Sequence, residues 1–326
     1  DKRIFEYENP QGDPHEIKAK VINPYLIDAP EVLLQKRMSP LCDAPAMDFG
    51  SKAVDFGHLT LSEKDRTELL QQHPLAEQWI RIFIGSEEFI NGTRRYCLWL
   101  KGISANELRC YSWIMNRVEA VRSARLKSDK QKTREEAKFP TLFSEDRQPT
   151  TDYLLIPKVS SERRDYIPLG FCESHLITNP SVLVVPNATH FHFGILQSAM
   201  HMAWMRYTCG RMKSDYQYSN TIVYNNFPWP QNPTEKQQRV IETAAQAVLD
   251  ARAQFPDSSL ADLYDPLAMP EALTKAHQKL DAAVDAAYAK RTFTSDRDRV
   301  AFLFALYQQL SSPLEANKTV RRKRAG

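Results

Sequence analysis

The sequence predicts an α+β fold in which a short-stranded mixed or antiparallel sheet, flanked by helices, is followed by an all-α C-terminal helical domain. Three observations carry this. Between residues 150 and 186 the runs DYLLIPKV, RDYIPLGF and SVLVVP are rich in aliphatic residues and are ended by Pro157, Pro168 and Pro186, since proline cannot donate to a sheet ladder. In HFGILQSAMHMAWMRYTCGR, Ile195, Ala199, Met202 and Met205 recur at helical spacing until Gly210 stops the run. Beyond the proline-rich FPWPQNP the pattern is helical to the end, with periods near 234–254, 270–290 and 295–310, the last after a Ser295/Asp296 cap signal.

Taken in order, residues 1–60 alternate apolar pieces with turn residues and predict a strand followed by a long irregular crossing segment. Ser62 is an N-cap candidate for an amphipathic helix, and Pro74 starts the next element. RRYCLWL at 94–100 is a strand pattern. Ser104 opens a long helix, about 104–126, that fades into a polar loop ending at Pro140. SNTIVYNNF, after the 193–210 helix, is expected to be a strand, and the last three helices to be antiparallel. The units expected are 1–55, 56–232, 233–311 and a basic tail at 312–326.

Composition narrows the function. With 326 residues and 42% hydrophobic content the chain can bury a core. No apolar run reaches the roughly 18 residues of a membrane span, and no signal layout opens the chain, so a cytoplasmic protein with no membrane partner is expected. Five cysteines without a C-x-x-C suggest neither disulfides nor a zinc site. The net charge of +3 is unevenly placed: residues 104–140 hold nine Lys and Arg against five Asp and Glu. A helix of that kind, carrying Arg122, Arg125 and Lys127, suits phosphate contact as well as simple solvation.

Catalytic motifs are missing. The ten glycines form no G-x-G after a strand, Asn23-Pro24-Tyr25 lacks a second proline, and Asn226-Phe227-Pro228-Trp229 has Phe where the first proline of an N-P-P-[YF] loop would stand. No Asp with Glu-x-Lys pair marks a magnesium nuclease. His190, His192 and His201 have no ligand partners at metal spacing and read as core or hydrogen-bonded histidines. In Lys213-Ser214-Asp215-Tyr216-Gln217, an extended chain would send Lys213, Asp215 and Gln217 to one face: a donor, an acceptor and an amide matched to base edges, or else a surface salt pair in a turn.

Residues 150–230, from TTDYLLIPKVSSERRDYIPLGF to FHFGILQSAMHMAWMRYTCGRMKSDYQYSNTIVYNNFPWP, resemble the target-recognition domain of the MmeI-like (type IIL) restriction-modification methyltransferases. Upstream, FGSKAVDFGHLTLS and WIRIFIGSEEFINGTRRYCLWL are similar to that family's passage from methyltransferase to recognition domain, and ADLYDPLAMPEALTKAHQKLDAAVDAAY to its C-terminal helices. The resemblance implies a module that reads double-stranded DNA and is not itself catalytic. It implies a longer polypeptide whose methyltransferase domain, of which residues 1–55 would be the end or the exit, uses S-adenosylmethionine on adenine N6, with magnesium serving any nuclease. It implies that the base-selecting residues lie in the Lys213/Asp215 stretch, with Lys158, Ser181 and Gln217 at further variable positions. Arg163, Arg164, Arg206 and Arg211 are candidates for phosphate contacts or for salt bridges of the sheet. Two rival readings are a complete amino-methyltransferase with a degenerate loop at NNFPW, and an assembly subunit that binds no DNA.

Overall fold

The computed structural model describes residues 2–7 and 12–311, so the expected basic tail with Arg321, Arg322, Lys323 and Arg324 lies outside the described residues. The chain opens with a hairpin of β1 (Lys2–Glu6) and β2 (His15–Ala19). It then crosses irregularly, as expected, to two short strands, β3 (Asp48–Phe49) and β4 (Thr60–Leu61). Helix α1 (Glu63–Gln72) starts on Ser62, whose hydroxyl accepts the Asp65 N–H at 3.1 Å while the Asp65 carboxylate takes the Ser62 N–H at 2.9 Å. A 3₁₀ turn from Pro74 leads into β5 (Ile80–Ile84), α2 (Ser86–Asn91) and β6 (Tyr96–Leu98).

The expected long helix is two: α3 (Ala105–Arg109), capped by Ser104, and α4 (Ser112–Leu126), separated at Cys110 and Tyr111. The polar segment after it is not a plain loop, for it forms α5 (Gln131–Glu135), supported by a Gln131 to Glu135 side-chain bond of 2.8 Å.

Strands β7 (Tyr153–Pro157), β8 (Val159–Ser160), β9 (Gly170–Cys172), β10 (Ile177–Thr178) and β11 (Val182–Pro186) follow. RDYIPLGF contributes only β9, because Tyr166 and Ile167 turn into the helical side and Pro168 has no N–H to donate. The 193–210 run is also split, into α6 (His190–Leu196) and α7 (Ala199–Thr208), since Ser198 leaves the helix to cap α7. Then come β12 (Gly210–Met212) and β13 (Asp215–Gln217). SNTIVYNNF is not a strand: Asn220–Tyr224 is a single π-helical turn, started by the Ser219 hydroxyl accepting the Ile222 N–H at 3.2 Å. The helices α8 (Glu235–Ala253), α10 (Glu271–Tyr288) and α11 (Asp296–Ser311) match the three expected periods, with a short α9 (Leu260–Leu263) between the first two.

Among the described residues the strands make four small sheets rather than one. One is mixed, in the order β10-β5-β6-β4 with β10 parallel to β5; the others, β3-β11-β7-β9, β12-β13-β8 and β1-β2, are antiparallel. Among the described residues there are three apolar clusters. The smallest lies on one face of the β3-β11-β7-β9 sheet, where Tyr153, Leu155, Val182 and Val184 meet Phe89 of α2. A second joins the mixed sheet to α1 and α4 through Leu69, Cys97, Leu98, Ile114 and Val121. The largest fuses the other face of the β3-β11-β7-β9 sheet, α6, α7 and all three long C-terminal helices. Gly194 permits this: a Cβ there would stand 2.8 Å from Ile241 Cγ2, so only glycine lets α6 close on α8. Among the described residues no helix is long and apolar enough to cross a membrane.

Candidate nucleic-acid interface

Where β7 ends, the chain steps through Lys158 into β8 and links two sheets. Lys158 N–H donates to the Ser181 carbonyl at 3.0 Å, and the Lys158 carbonyl accepts the Tyr218 N–H at 2.8 Å. Gln217 lies opposite Val159, and Asp215 opposite Met212, where the hairpin closes over Lys213 and Ser214. Ser181, Lys158, Gln217, Asp215 and Lys213, far apart in sequence, thus follow one continuous hydrogen-bonded edge.

On β13 the alternation is as expected. Asp215 and Gln217 are half-buried on one side, while Tyr216 turns into the core on the other. Lys213 departs from the extended reading: the hairpin leaves only two residues for its turn, and Lys213 takes φ 57°, in the left-handed region. It sits exposed at the tip. Among the described residues no ion pair joins it to Asp215, whose carboxylate instead accepts the Glu162 N–H at 3.4 Å.

Ser181 and Lys158 are held from behind. The Ser181 hydroxyl donates to Asn179 Oδ1 at 2.6 Å and accepts the Ser86 N–H at 2.9 Å, so its remaining capacity is as an acceptor. Gly85 makes room for this cluster, as a Cβ there would meet the Asn179 side chain at 2.2 Å. The Lys158 ammonium stands over the Phe49 ring, 5.3 Å from its centroid.

The expected phosphate-contacting cations divide sharply. Arg125 is excluded: it is 1% exposed, and its guanidinium donates to the carbonyls of Ala53, Val54, Glu136, Phe139 and Leu142 at 2.8–3.1 Å. Arg206 is also committed, paired with Asp296 of α11 and donating to the Asp165 carbonyl at 3.1 Å. Arg211 stays exposed but works as a brace: it covers the Tyr216 ring at 4.2 Å, donates to the Ser214 carbonyl at 2.8 Å and faces Glu162 at 3.7 Å. Arg164 is half-buried, and that burial lowers its pKa against the opposing charges of Asp215 and Asp265. Arg163 and Lys127 are exposed, and Arg122 is exposed with a loose 3.7 Å pair to Glu119. Those three remain open to a polyanion.

The asparagines of the two incomplete loop motifs are spent on structure. Asn226 is fully buried; its amide donates to the carbonyls of Gln35, Thr221 and Ile222 at 2.9–3.1 Å, and its oxygen accepts the Tyr307 hydroxyl at 3.1 Å. Nothing is left to hold a flipped base. Asn23 Oδ1 accepts the Tyr25 and Ile27 N–H groups in a turn. His201 is buried against the Tyr218 hydroxyl at 2.8 Å, and burial lowers its pKa to about 3. His192 caps α6 through the Thr189 N–H. Among the described residues no group of three His, Cys, Asp or Glu stands where it could hold a metal.

Sequence reasoning missed Glu162, Asn179 and Ser86, which support this edge from other parts of the chain. Ser86 is brought in at the start of α2, just after β5 of a separate sheet, and no spacing in the sequence signals that.

The chain is similar to known proteins. Residues 28–231 match the family model described as the MmeI target recognition domain, and residues 233–315 the one described as the MmeI C-terminal domain. DNA methyltransferase A of Bacillus subtilis (strain 168) is 37% identical over 290 residues, which are 89% of this chain and 33% of that protein. A solved structure of the type IIL restriction-modification enzyme MmeI in complex with DNA is similar with a TM-score of 0.89 and 45% identity, over 95% of this chain and 41% of that one. The chain therefore spans between a third and a half of the length of these relatives.

Proposed function

The chain belongs to the MmeI family, and from that premise we propose that it is the part of a restriction-modification DNA methyltransferase that reads double-stranded DNA sequence in the major groove. The observation that supports this is the shared backbone edge of Ser181, Lys158, Gln217, Asp215 and Lys213, residues whose side chains include donors, acceptors and an amide. Lys213 at the hairpin tip donates to guanine N7 or O6, and Asp215 accepts from the amino group of the paired cytosine. Gln217 suits adenine, and Ser181, its proton already given to Asn179, serves as an acceptor. Arg163, Arg122 and Lys127 supply phosphate contacts that fix register without reading sequence.

Methyl transfer to an adenine amino group, the S-adenosylmethionine it consumes and any magnesium-dependent cleavage belong to the rest of the polypeptide. The degenerate-loop reading is disfavoured by the closed hydrogen bonding of Asn226.

The test is selection from a pool of duplexes with the isolated chain, joined to methylation-site sequencing of the full polypeptide. One base pair should lose about tenfold or more discrimination when Lys213 or Asp215 is changed alone, because a good base contact carries about 1–3 kcal/mol. The double change Lys213→Glu with Asp215→Arg exchanges donor and acceptor and should move the preference from one orientation of that G·C pair to the other. An unchanged motif in an active double variant would show that the pair reads no base.

A further inference from the structure

Segment 161–166 is tied to the β12–β13 hairpin twice. The Glu162 N–H donates to the Asp215 carboxylate at 3.4 Å, and the Glu162 side chain faces Arg211, the brace of the hairpin turn, at 3.7 Å. At its other end the segment is fixed by the C-terminal helices. The Tyr166 ring lies flat on His277 of α10, with centroids 3.9 Å apart and planes at 22°, and its hydroxyl donates to Asp281 Oδ2 at 2.6 Å. The second Asp281 oxygen accepts the Ala199 N–H at 2.7 Å, in the first turn of α7.

Behind the ring, His277 Nε2 meets the Tyr264 hydroxyl at 2.9 Å, and that oxygen is in turn held by Arg252. Arg252 donates onward to the Leu169 carbonyl at 2.7 Å, just beyond the segment. An apolar contact would bury the ring equally well while tolerating slippage. Here one ring pose must satisfy both a stack and a short bond, and directional polar ties of this kind define position more sharply than burial does.

We propose that Tyr166 is a positioning residue through which the C-terminal helices set the place of Asp215, and with it the base preference of the reading edge. The inference rests on the function proposed above. It assigns the α10 residues His277 and Asp281 a part in specificity without contact to DNA, since a base contact tolerates only about 0.5 Å of misplacement.

Selection from a duplex pool is run on four forms of this chain: the parent sequence, Asp215→Asn, Tyr166→Phe and Ile241→Val. Tyr166→Phe keeps the ring and removes the bond to Asp281. Ile241→Val trims a buried side chain of the largest core, where α8 meets α6 at Gly194, and leaves the Tyr166 stack and its bond to Asp281 in place. Tyr166→Phe should lose about fivefold or more discrimination at the base pair that Asp215→Asn alters and at no other, with affinity for random duplex kept within about twofold. Ile241→Val should melt earlier yet discriminate as the parent does.

Tyr166→Phe with the parent preference, or Ile241→Val losing as much as Tyr166→Phe, overturns the proposal. A parent chain with no base preference, or one that Asp215→Asn does not shift, sinks the underlying reading of the edge as well. If Tyr166→Phe does not fold, Asp281→Asn, which trades one acceptor oxygen for an amide of the same shape, is judged by the same two criteria.

Discussion

Five carbonyl oxygens converge on the Arg125 guanidinium, and two of them belong to a turn that is strained on its own. Val54 has φ 47° and Phe56 φ 55°, a backbone region costly for a β-branched or bulky side chain. Arg125 takes the carbonyls of Ala53 and Val54 on one side and those of the 136–142 segment on the other, so a single buried cation locks two irregular stretches together. Burial lowers its pKa, yet an arginine stays charged at any relevant pH. Removing it would strand several buried acceptors. Arg125→Ala is therefore expected to destabilise the fold by at least about 3 kcal/mol in urea denaturation, while the exposed neighbours Arg122→Ala and Lys127→Ala stay within about 0.5 kcal/mol. The DNA assay should reverse the order: Arg122→Ala and Lys127→Ala weaken binding to all duplexes alike and flatten the salt dependence. A mild Arg125→Ala would mean that the five bonds are replaced by water.

The β12–β13 hairpin is the element on which folding and reading can be pulled apart. Lys213 pays for its place at the tip with a left-handed backbone, a conformation that glycine adopts freely. Lys213→Gly should leave the melting temperature unchanged or raise it, and abolish the preference at the base pair assigned to Lys213. Lys213→Val should lose the preference and stability together. If the glycine variant instead melts markedly earlier, the lysine side chain is part of the fold and its assignment to a base fails.

This turn also marks the limit of what the sequence discloses. The i, i+2 spacing of Asp215 and Gln217 gave their common side correctly, because period-two alternation is local. It missed Lys213, since the chain turns back on itself there and Met212 pairs with Asp215, so Lys213 lies in the turn and outside the strand's alternation. The split of α6 from α7 at Ser198 and the π-helical turn at Asn220–Tyr224 were hidden for a related reason: side-chain caps overrode strong apolar patterns. The three C-terminal helices were legible because their apolar period, caps and proline boundaries agree with one another. Arg125 and Arg122 look alike in the sequence, three residues apart on one helix, and only tertiary packing separates the clasp from the exposed cation.

At the scale of the whole molecule, the same fusion of sheet and helices that builds the large core buries three titratable groups whose effects on stability partly oppose one another. Burial holds His201 neutral, with its pKa lowered to about 3, and burial together with the Arg252 charge keeps His277 well below the ordinary histidine range. In the unfolded chain both take up protons near pH ~6.5, so as pH falls below that value the unfolded state binds more protons and the fold loses stability. Asp281 has the opposite sign. Burial raises its pKa to about 6, against hydrogen bonds from Tyr166 and Ala199 that lower it, whereas in the unfolded chain it titrates near pH ~3.9. Between those values the folded state binds the extra proton, and falling pH adds stability. Because the histidines of the unfolded chain and Asp281 of the fold titrate within about half a pH unit of each other, Asp281 offsets about one of the two histidines from the start, and the net loss below pH 6 is about a tenfold change in the folding equilibrium per pH unit. Urea midpoints measured from pH 7 to pH 5 should therefore decline at about that rate. Asp281→Asn removes the opposing group and should make the decline between pH 6 and pH 5 about twice as steep, while His201→Gln should nearly flatten it. A parent decline that Asp281→Asn leaves unaltered would show that Asp281 is already ionised in the fold and that its short bond to Tyr166 is that of a full carboxylate.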